Sequence, residues 1–337
     1  MTFRPPHCPQ DGCPARDNRA LFRWRRAGRY RRKCDGLVVP RFLCRNCGTR
    51  FSRQTFRFNY RWWKPEVHLQ LFWEFIGKSS MRQSARRFGV SRDTVARRLR
   101  AMGEHCRKWH QLRLRHAAGT LEPRFVFDEL ETFETDRRVR PVTVPVLIQN
   151  STLFVVHAET APLPPRGRLD PVRQQRKERD ERLYGKRRSG SRAACERTLK
   201  KIAWLMDPEE YLDLVTDRKS SYRRLRREHL NERFASHVME YSKSARNRSN
   251  PLFPINHTLA MMRDGLSRLV RRSWCHAKKR EWLEYQIWVW IVYRNYIREI
   301  TNKDKRNTPA MAAGVYWWRL RAQDVFRWRW TERMEAA

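Results

Sequence analysis

Long apolar runs are missing from this 337-residue sequence. The longest of them, Ile287–Tyr293, is far shorter than the roughly 20 residues that cross a bilayer. Residues 1–6 also lack the apolar core that a secretory signal needs. Neither secretion nor membrane insertion is indicated, and we expect a cytoplasmic protein.

Acidic side chains are scarce. Asp and Glu number 35 against 74 Lys and Arg, which gives a formal net charge of +39. Such an excess repels itself in the compact state and favours a polyanionic partner. Because 40% of the residues are hydrophobic and 12% are aromatic, the chain is too apolar for a disordered basic tail. The length and composition together predict a folded protein of two or three domains.

The cysteines are concentrated near the N-terminus, where five of the eight lie before residue 50. This usage indicates thiols and a metal rather than a disulfide framework. A C-x4-C pair and a C-x2-C pair followed by Gly48 predict a zinc ribbon in residues 1–60, with Cys34 and His7 as alternative ligands. Four protein ligands leave no open coordination position, so the zinc is expected to be structural. The predicted ligands are Cys8, Cys13, Cys44 and Cys47.

Residues 61–118 have the pattern of a helical domain with a helix-turn-helix. Ala85 is small where two helices cross, Gly89 permits a left-handed turn, and Ser91 can cap the next helix. The second helix is expected to present outward a set of side chains that reach phosphates or base edges in a major groove. These are Arg92, Thr94, Arg97 and Arg98. A plain helical hairpin with a solvated basic face is the alternative.

In residues 119–315, short β-rich runs give way to alternating strands and helices, which predicts a mixed α/β domain. A basic insertion at about 163–192 shows no apolar periodicity, and we expect an exposed loop or a mobile arm there. Residues 316–337 form a basic, aromatic tail. Its Trp and Arg residues either stack on unpaired bases or pack against the domain.

Two acidic residues of the α/β domain follow apolar strands. Asp128 comes after residues 125–127, and Asp217 comes after residues 212–216. Carboxylates on adjacent strands can share divalent cations, which activate a water and stabilise the leaving oxygen of a phosphodiester. The surrounding positive charge would hold the nucleic-acid backbone. The alternative is a pair of solvated aspartates in turns.

The order of these features resembles the bacterial insertion-sequence transposases of the DDE class. It runs from the zinc ribbon and the helix-turn-helix through Asp128 and Asp217 to the basic run at 268–273, and the resemblance extends to about Gly314. It implies a ribonuclease H-like catalytic domain with a mixed sheet, which uses Mg²⁺ or Mn²⁺ to cut transposon ends and join them to target DNA. The implied partner is double-stranded DNA, bound by a homo-oligomer associated with the nucleoid.

The third acidic position of this family lies on the helix after the sheet, seven residues before a basic residue that contacts DNA. Asn256 and Arg263 stand at these positions here, and Asp264 is the runner-up for the acidic one. The implied catalytic and magnesium-binding residues are therefore Asp128, Asp217 and Asn256. An asparagine keeps a carbonyl oxygen for the metal but removes a full charge, so metal affinity is expected to fall.

Two other functions compete with an active transposase. One is a non-catalytic DNA-binding regulator or domesticated transposase, and the other is an RNA-binding protein suggested only by charge and aromatic content. The enzyme requires that Asp128, Asp217 and residue 256 converge within metal-bridging distance. His257, next to Asn256, is a further candidate for a functional role, whereas the other histidines show no ligand spacing.

Overall fold

A computed structural model describes residues 3–207, 209–230, 234–241, 243–245, 247–270 and 275–329. The chain forms two compact units. The smaller comprises the described residues up to Gln70 together with those from Arg321 onward, and the larger is Leu71–Leu320. None of the helices in these ranges is both long and apolar enough to cross a membrane.

The smaller unit is built on a three-stranded antiparallel sheet. A short helix, α1 (Pro14–Asp17), precedes the strands, which are β1 (Trp24–Arg31), β2 (Val38–Cys44) and β3 (Arg50–Ser52), paired in the order β1-β2-β3. Its core is small and consists of aromatic rings and thiols. The buried members include Phe22, Phe42, Phe51, Phe56, Cys8 and Cys44.

Three helices follow: α2 (Val67–Ile76), α3 (Met81–Arg87) and α4 (Arg92–His116). Ser80 and Gln83 form a capping box at the start of α3, and Gly89 takes a φ of +56° in the turn. Ser91 caps α4 by accepting a hydrogen bond of 3.1 Å from the Thr94 amide. These local signals set the starts of both helices, and Ser91 caps the second one as the sequence predicts.

The larger unit contains a mixed sheet, as the sequence predicts. Its strands are β4 (Arg124–Phe133), β5 (Pro141–Gln149), β6 (Val155–Ala158), β7 (Ala161–Pro162), β8 (Leu212–Asp217) and β9 (Phe234–Glu240). The strand order is β6-β5-β4-β8-β9, with β7 paired to β5. The first three strands are antiparallel, whereas β4, β8 and β9 run parallel. The prediction of a mixed α/β domain is therefore confirmed.

The basic insertion differs from the prediction of a loop or mobile arm, because it contains the helix α5 (Pro171–Tyr184). The Asp170 side chain caps this helix by accepting from the Arg173 amide at 2.9 Å. None of its residues is buried, and ion pairs attach it to the domain, among them Arg140–Asp180 at 3.0 Å and Arg173–Asp136 at 3.1 Å. Caps and charge pairs thus stabilise a helix that has no apolar periodicity.

The remaining helices are α6 (Ser191–Leu205), α7 (Ser220–Leu230), α8 (Phe253–Gly265), α9 (Arg280–Val292), α10 (Pro309–Ala312) and α11 (Ala322–Val325). α6 contacts β5 and β6, whereas α8 contacts β4 and β5. α9 is buried from Gln286 to Val292 and packs against α4 at Gly103. A Cβ atom there would lie only 2.5 Å from the Tyr285 Cβ, so only glycine permits this close crossing.

Candidate active site and metal centre

Four cysteine sulfurs of the smaller unit converge. The Sγ atoms of the predicted zinc ligands, Cys8, Cys13, Cys44 and Cys47, all lie within 4.8 Å of one another. Those of Cys8 and Cys47 are 3.6 Å apart. A tetrahedral zinc with bonds of about 2.3 Å separates its sulfurs by about 3.8 Å, so the cluster is compatible with structural zinc.

The surroundings of the cluster favour these four cysteines over the two alternatives. The Gly48 amide donates to the Cys44 carbonyl at 3.0 Å, which forms the tight turn of the C-x2-C pair. Burial raises the pKa of the Cys8 thiol, whereas the Thr49 side chain lowers the pKa of Cys47 to about 6. Among the residues described, the cluster includes neither Cys34 nor His7. His7 instead contacts the Cys8 carbonyl through its Nδ1 at 2.9 Å.

The side chains proposed to read DNA do not all face outward. Arg92 and Arg97 are exposed, and Thr94 is half-buried with its hydroxyl 3.0 Å from that of Ser91. Arg98 is only 7% exposed, so the prediction that it faces outward is wrong. It lies three residues after the buried Val95, on the apolar stripe of α4, where the helical period turns it inward.

Asp128 lies in the middle of a strand. It is the fifth residue of β4, which continues in register with β5 as far as Phe133, so the prediction of a strand-end position is wrong. Asp217 is the last residue of β8, as predicted. β4 and β8 pair in parallel, with Val126 opposite Val215. This pairing ends at Val126 and Val215, and Asp128 and Asp217 each lie two residues beyond it, on the face of their strand that these valines share.

The charge of Asp217 acts on the Asp128 carboxylate. The pKa of Asp128 is raised to about 7, mainly by burial and further by the charges of Asp217 and Glu129. The Glu129 amide donates to Asp128 Oδ1 at 2.7 Å, and the Lys219 amide donates to Asp217 Oδ1 at 3.0 Å. Neighbouring carboxylates repel each other, and a divalent cation bound between them removes this repulsion.

A cavity of about 410 Å³ is lined by Asp128 and by the proposed third ligand, but not by Asp217. Asn256 and Arg263, both on α8, line this cavity together with Asp128. The positive charge of Arg263 acts to lower the pKa of Asp128, against the larger effect of burial. Asp264 does not line the cavity, and its side chain, 81% exposed, forms an ion pair with Lys78 at 2.9 Å. The geometry therefore favours Asn256 over Asp264 as the candidate third ligand.

His257 belongs to the same cavity. Its ring stacks on that of Phe253, with the centroids 6.1 Å apart and the planes 23° from parallel. Its Nδ1 atom is buried and has no hydrogen-bond partner within the described part of the chain. His257 thus contributes a polar side chain to the lining of the cavity, next to Asn256.

Glu129 has a role in the site that sequence reasoning missed. Since neighbouring residues of a strand face opposite sides, Glu129 points away from Asp128, toward α6 and α7. Its carboxylate accepts hydrogen bonds from Thr143 at 2.8 Å, Ser191 at 2.6 Å and Tyr222 at 2.7 Å, and it also pairs with Lys219. The signal in the sequence is the adjacent pair Asp128 and Glu129 directly after the apolar residues 125–127. Each of two neighbouring acidic residues in a buried strand needs partners on its own face of the sheet.

The basic and aromatic C-terminal features have several environments. Arg268, the first residue of the basic run, is buried and donates to Gln286 Oε1 at 2.7 Å, whereas residues 271–273 lie outside the described residues. Trp317 is 80% exposed, but Trp328 packs on Phe3 with the ring centroids 5.2 Å apart. The last eight residues of the tail, from 330, also lie outside the described ranges.

Neither a protein-family model nor a curated protein matches the sequence. Among solved structures, the catalytic domain of Mos1 mariner transposase is 14% identical over 59% of this chain and 91% of that chain, with a TM-score of 0.23. The Mos1 strand transfer complex is 12% identical over 72% and 78%, with a TM-score of 0.25. The Mos1 catalytic domain with raltegravir and Mg is 14% identical over 61% and 96%, with a TM-score of 0.23. TM-scores this low carry no argument about this chain.

Proposed function

We propose that this protein is a transposase of the DDE class that cuts and joins DNA by two-metal phosphodiester chemistry. The observation that carries the proposal is the position of Asp128 and Asp217, each two residues beyond the paired Val126 and Val215, with Asn256 and Arg263 lining one cavity with Asp128. Two carboxylates and an amide oxygen form a hard donor set, which suits Mg²⁺ or Mn²⁺. This arrangement matches the resemblance to ribonuclease H-like enzymes.

Each residue has a distinct task in this proposal. Asp128 and Asp217 hold the divalent ions between them, and the Asn256 side-chain oxygen supplies the third protein ligand. Bound ions of this kind activate a water and stabilise the leaving oxygen. Arg263, two helical turns after Asn256, binds a phosphate near the scissile bond. Glu129 fixes β4 from the opposite face.

Double-stranded DNA is the proposed substrate, bound by a homo-oligomer in the nucleoid. Arg92 and Arg97 are exposed at the N-terminal end of α4, where a recognition helix contacts a major groove. The net charge of +39 supplies the attraction to the phosphate backbone. The cysteine cluster holds structural zinc that shapes the smaller unit and takes no part in the chemistry.

The function is tested by incubating the full chain with Mg²⁺ and duplexes that carry the inverted repeats flanking its coding sequence. A transposase releases strands with 3′-hydroxyl ends at the repeat boundary and joins them to a second duplex. Specific binding without any cleavage in Mg²⁺ or Mn²⁺ would instead identify a non-catalytic regulator or domesticated transposase.

Substitutions of Asn256 and Asp264 are expected to separate the two candidates for the third ligand. Asn256→Ala should lose most of the cleavage activity, whereas Asn256→Glu should retain or strengthen Mg²⁺ binding because it restores a charge. Asp264→Asn is the matched control and should be nearly silent, because Asp264 pairs with Lys78 at an exposed position. Titration of cleavage rate against Mg²⁺ concentration measures both effects. An inactive Asp264→Asn beside an active Asn256→Ala would transfer the role to Asp264.

Arg97→Ala is expected to weaken duplex binding and to reduce its dependence on salt. Removing one phosphate contact lowers the slope of log affinity against log salt by about 0.9. Arg115→Ala is the control, because Arg115 is also exposed but lies at the far end of the same helix. Fluorescence anisotropy at several salt concentrations measures the slopes. Equal slopes for Arg97→Ala and the unmodified protein would remove Arg97 from the interface.

A further inference from the structure

A second cavity lies in the smaller unit, apart from the carboxylates. It has a volume of about 310 Å³, at the lower end of the range of small-molecule sites. Four aromatic residues line it, together with three cationic ones. The aromatic residues are Tyr30, Tyr60, Trp62 and Trp63, and the cationic ones are Arg32, Lys33 and Arg61.

Three of the four aromatic rings of this cleft are exposed or in contact with cations, whereas Trp62 packs on Phe58 and His68. Trp63 is 71% exposed. The Arg41 guanidinium lies 4.8 Å from the Tyr30 ring centroid. Arg61 and Arg329 lie 5.2 Å and 5.1 Å from the Tyr60 ring centroid. The cleft therefore combines a solvent-exposed indole with tyrosines that are polarised by cations.

The local field around the cleft is strongly positive. Residues 1–70 contain 17 Lys or Arg against four Asp or Glu. The pKa of Arg57 is lowered to about 10, first by burial and then by the charges of Arg53, Arg327 and Arg32. Asp35, the acidic residue next to the cleft, is already held by Arg32. Lys33 is exposed on the rim, so the charge of the cleft complements an anion.

A cleft that combines aromatic rings with cations suits a base joined to its phosphate. In a duplex, the faces of each base are covered by its stacked neighbours, whereas an unpaired base offers a free π-face. We propose that this cleft binds one unpaired nucleobase of a single strand, with the base stacked on Trp63 and the adjoining phosphate on Lys33 and Arg61. The cleft is thus a single-strand site separate from the duplex-binding helices.

The test compares two labelled twelve-nucleotide strands, oligothymidylate and an abasic strand of the same length, in buffer without added divalent cation. The full chain should bind oligothymidylate more tightly, by roughly 5-fold to 100-fold for one stacked base. Trp63→Ala should reduce this preference to about one, and Trp63→Phe should keep most of it because a ring remains. Trp204→Ala, which removes a 46% exposed indole from α6, is the control and should change nothing.

Lys33→Gln distinguishes the contribution of the phosphate contact from that of base stacking. It should weaken both strands equally and lower the salt slope by about 0.7, while the preference for oligothymidylate persists. The proposal is overturned if the unmodified protein does not distinguish the two strands, or if Trp63→Ala preserves the distinction. An equal loss in Trp204→Ala overturns it as well.

An oligouridylate of the same length assigns the strand to RNA if it binds more tightly, and to DNA if it binds more weakly. Either result agrees with a base-binding cleft. No cleavage is measured in these experiments, so their outcome is independent of the proposed transposase activity.

Discussion

Asp128→Ala and Asp217→Ala are each expected to lower Mg²⁺-dependent cleavage and joining by about a thousandfold or more. Groups that act as one catalytic unit lose nearly all activity when any one of them is removed. In the proposed mechanism these two residues form such a unit, because each would supply a ligand to the same pair of cations. DNA affinity should stay within about twofold, since Lys and Arg contacts dominate it.

The control for this pair is Asp213→Asn. Asp213 lies on β8, four residues before Asp217, and its carboxylate accepts from Ser236 and pairs with Arg124 at 3.4 Å. Its substitution should leave the cleavage rate nearly unchanged. Rates are compared on end-containing duplexes at saturating protein, with anisotropy as the measure of binding. A variant at either aspartate that cuts at the unmodified rate would refute the two-aspartate assignment.

Replacement of a clustered cysteine is expected to have the second large effect. Cys8→Ser or Cys44→Ser should reduce bound zinc from one per chain to almost none and unfold the three-stranded sheet. Structural zinc contributes on the order of 10 kcal/mol to the folding of small metal-binding domains. The core around β1–β3 consists of a few aromatic rings and the thiols themselves, so it is too small to compensate.

Cys34→Ser and His7→Gln are the controls, because neither residue belongs to the cluster. Both should retain zinc and the protection of strand amides against hydrogen exchange. Elemental analysis gives the zinc content, and exchange mass spectrometry reports the sheet and the larger unit separately. Loss of zinc from Cys34→Ser together with its retention in Cys8→Ser would change the ligand set.

Features set by short-range chemistry could be predicted from the sequence. The cysteine spacing, the Ser80 and Ser91 caps and the glycine turn between them act within a few residues, so their pattern is visible in the chain itself. The interval of seven residues between Asn256 and Arg263 likewise places both on one face of any helix that contains them. The structure brings both to the cavity of Asp128.

Features that depend on distant partners could not be predicted in the same way. The helix α5 lacks an apolar face, and Asp136 and Arg140, which precede it by about 30 residues or more, attach it to the domain. The length of β4 beyond Asp128 depends on its pairing with β5. Arg98 is different, because the period that buries Val95 and Leu99 also predicts its burial. The positive charge of Arg98 favours an exposed position, and the prediction follows the charge and not the helical period.

Glu129, on the face of β4 opposite Asp128, helps to hold the candidate metal ligands in place before a cation binds. Four donors hold the Glu129 carboxylate, and one of them, Lys219, also holds Asp217 through its amide. These hydrogen bonds fix the backbone of β4 at Asp128 and the turn that follows Asp217. The scaffold therefore resists the separation of the two negative charges before any cation arrives. A divalent cation bound by these carboxylates as proposed would need little rearrangement of its ligands.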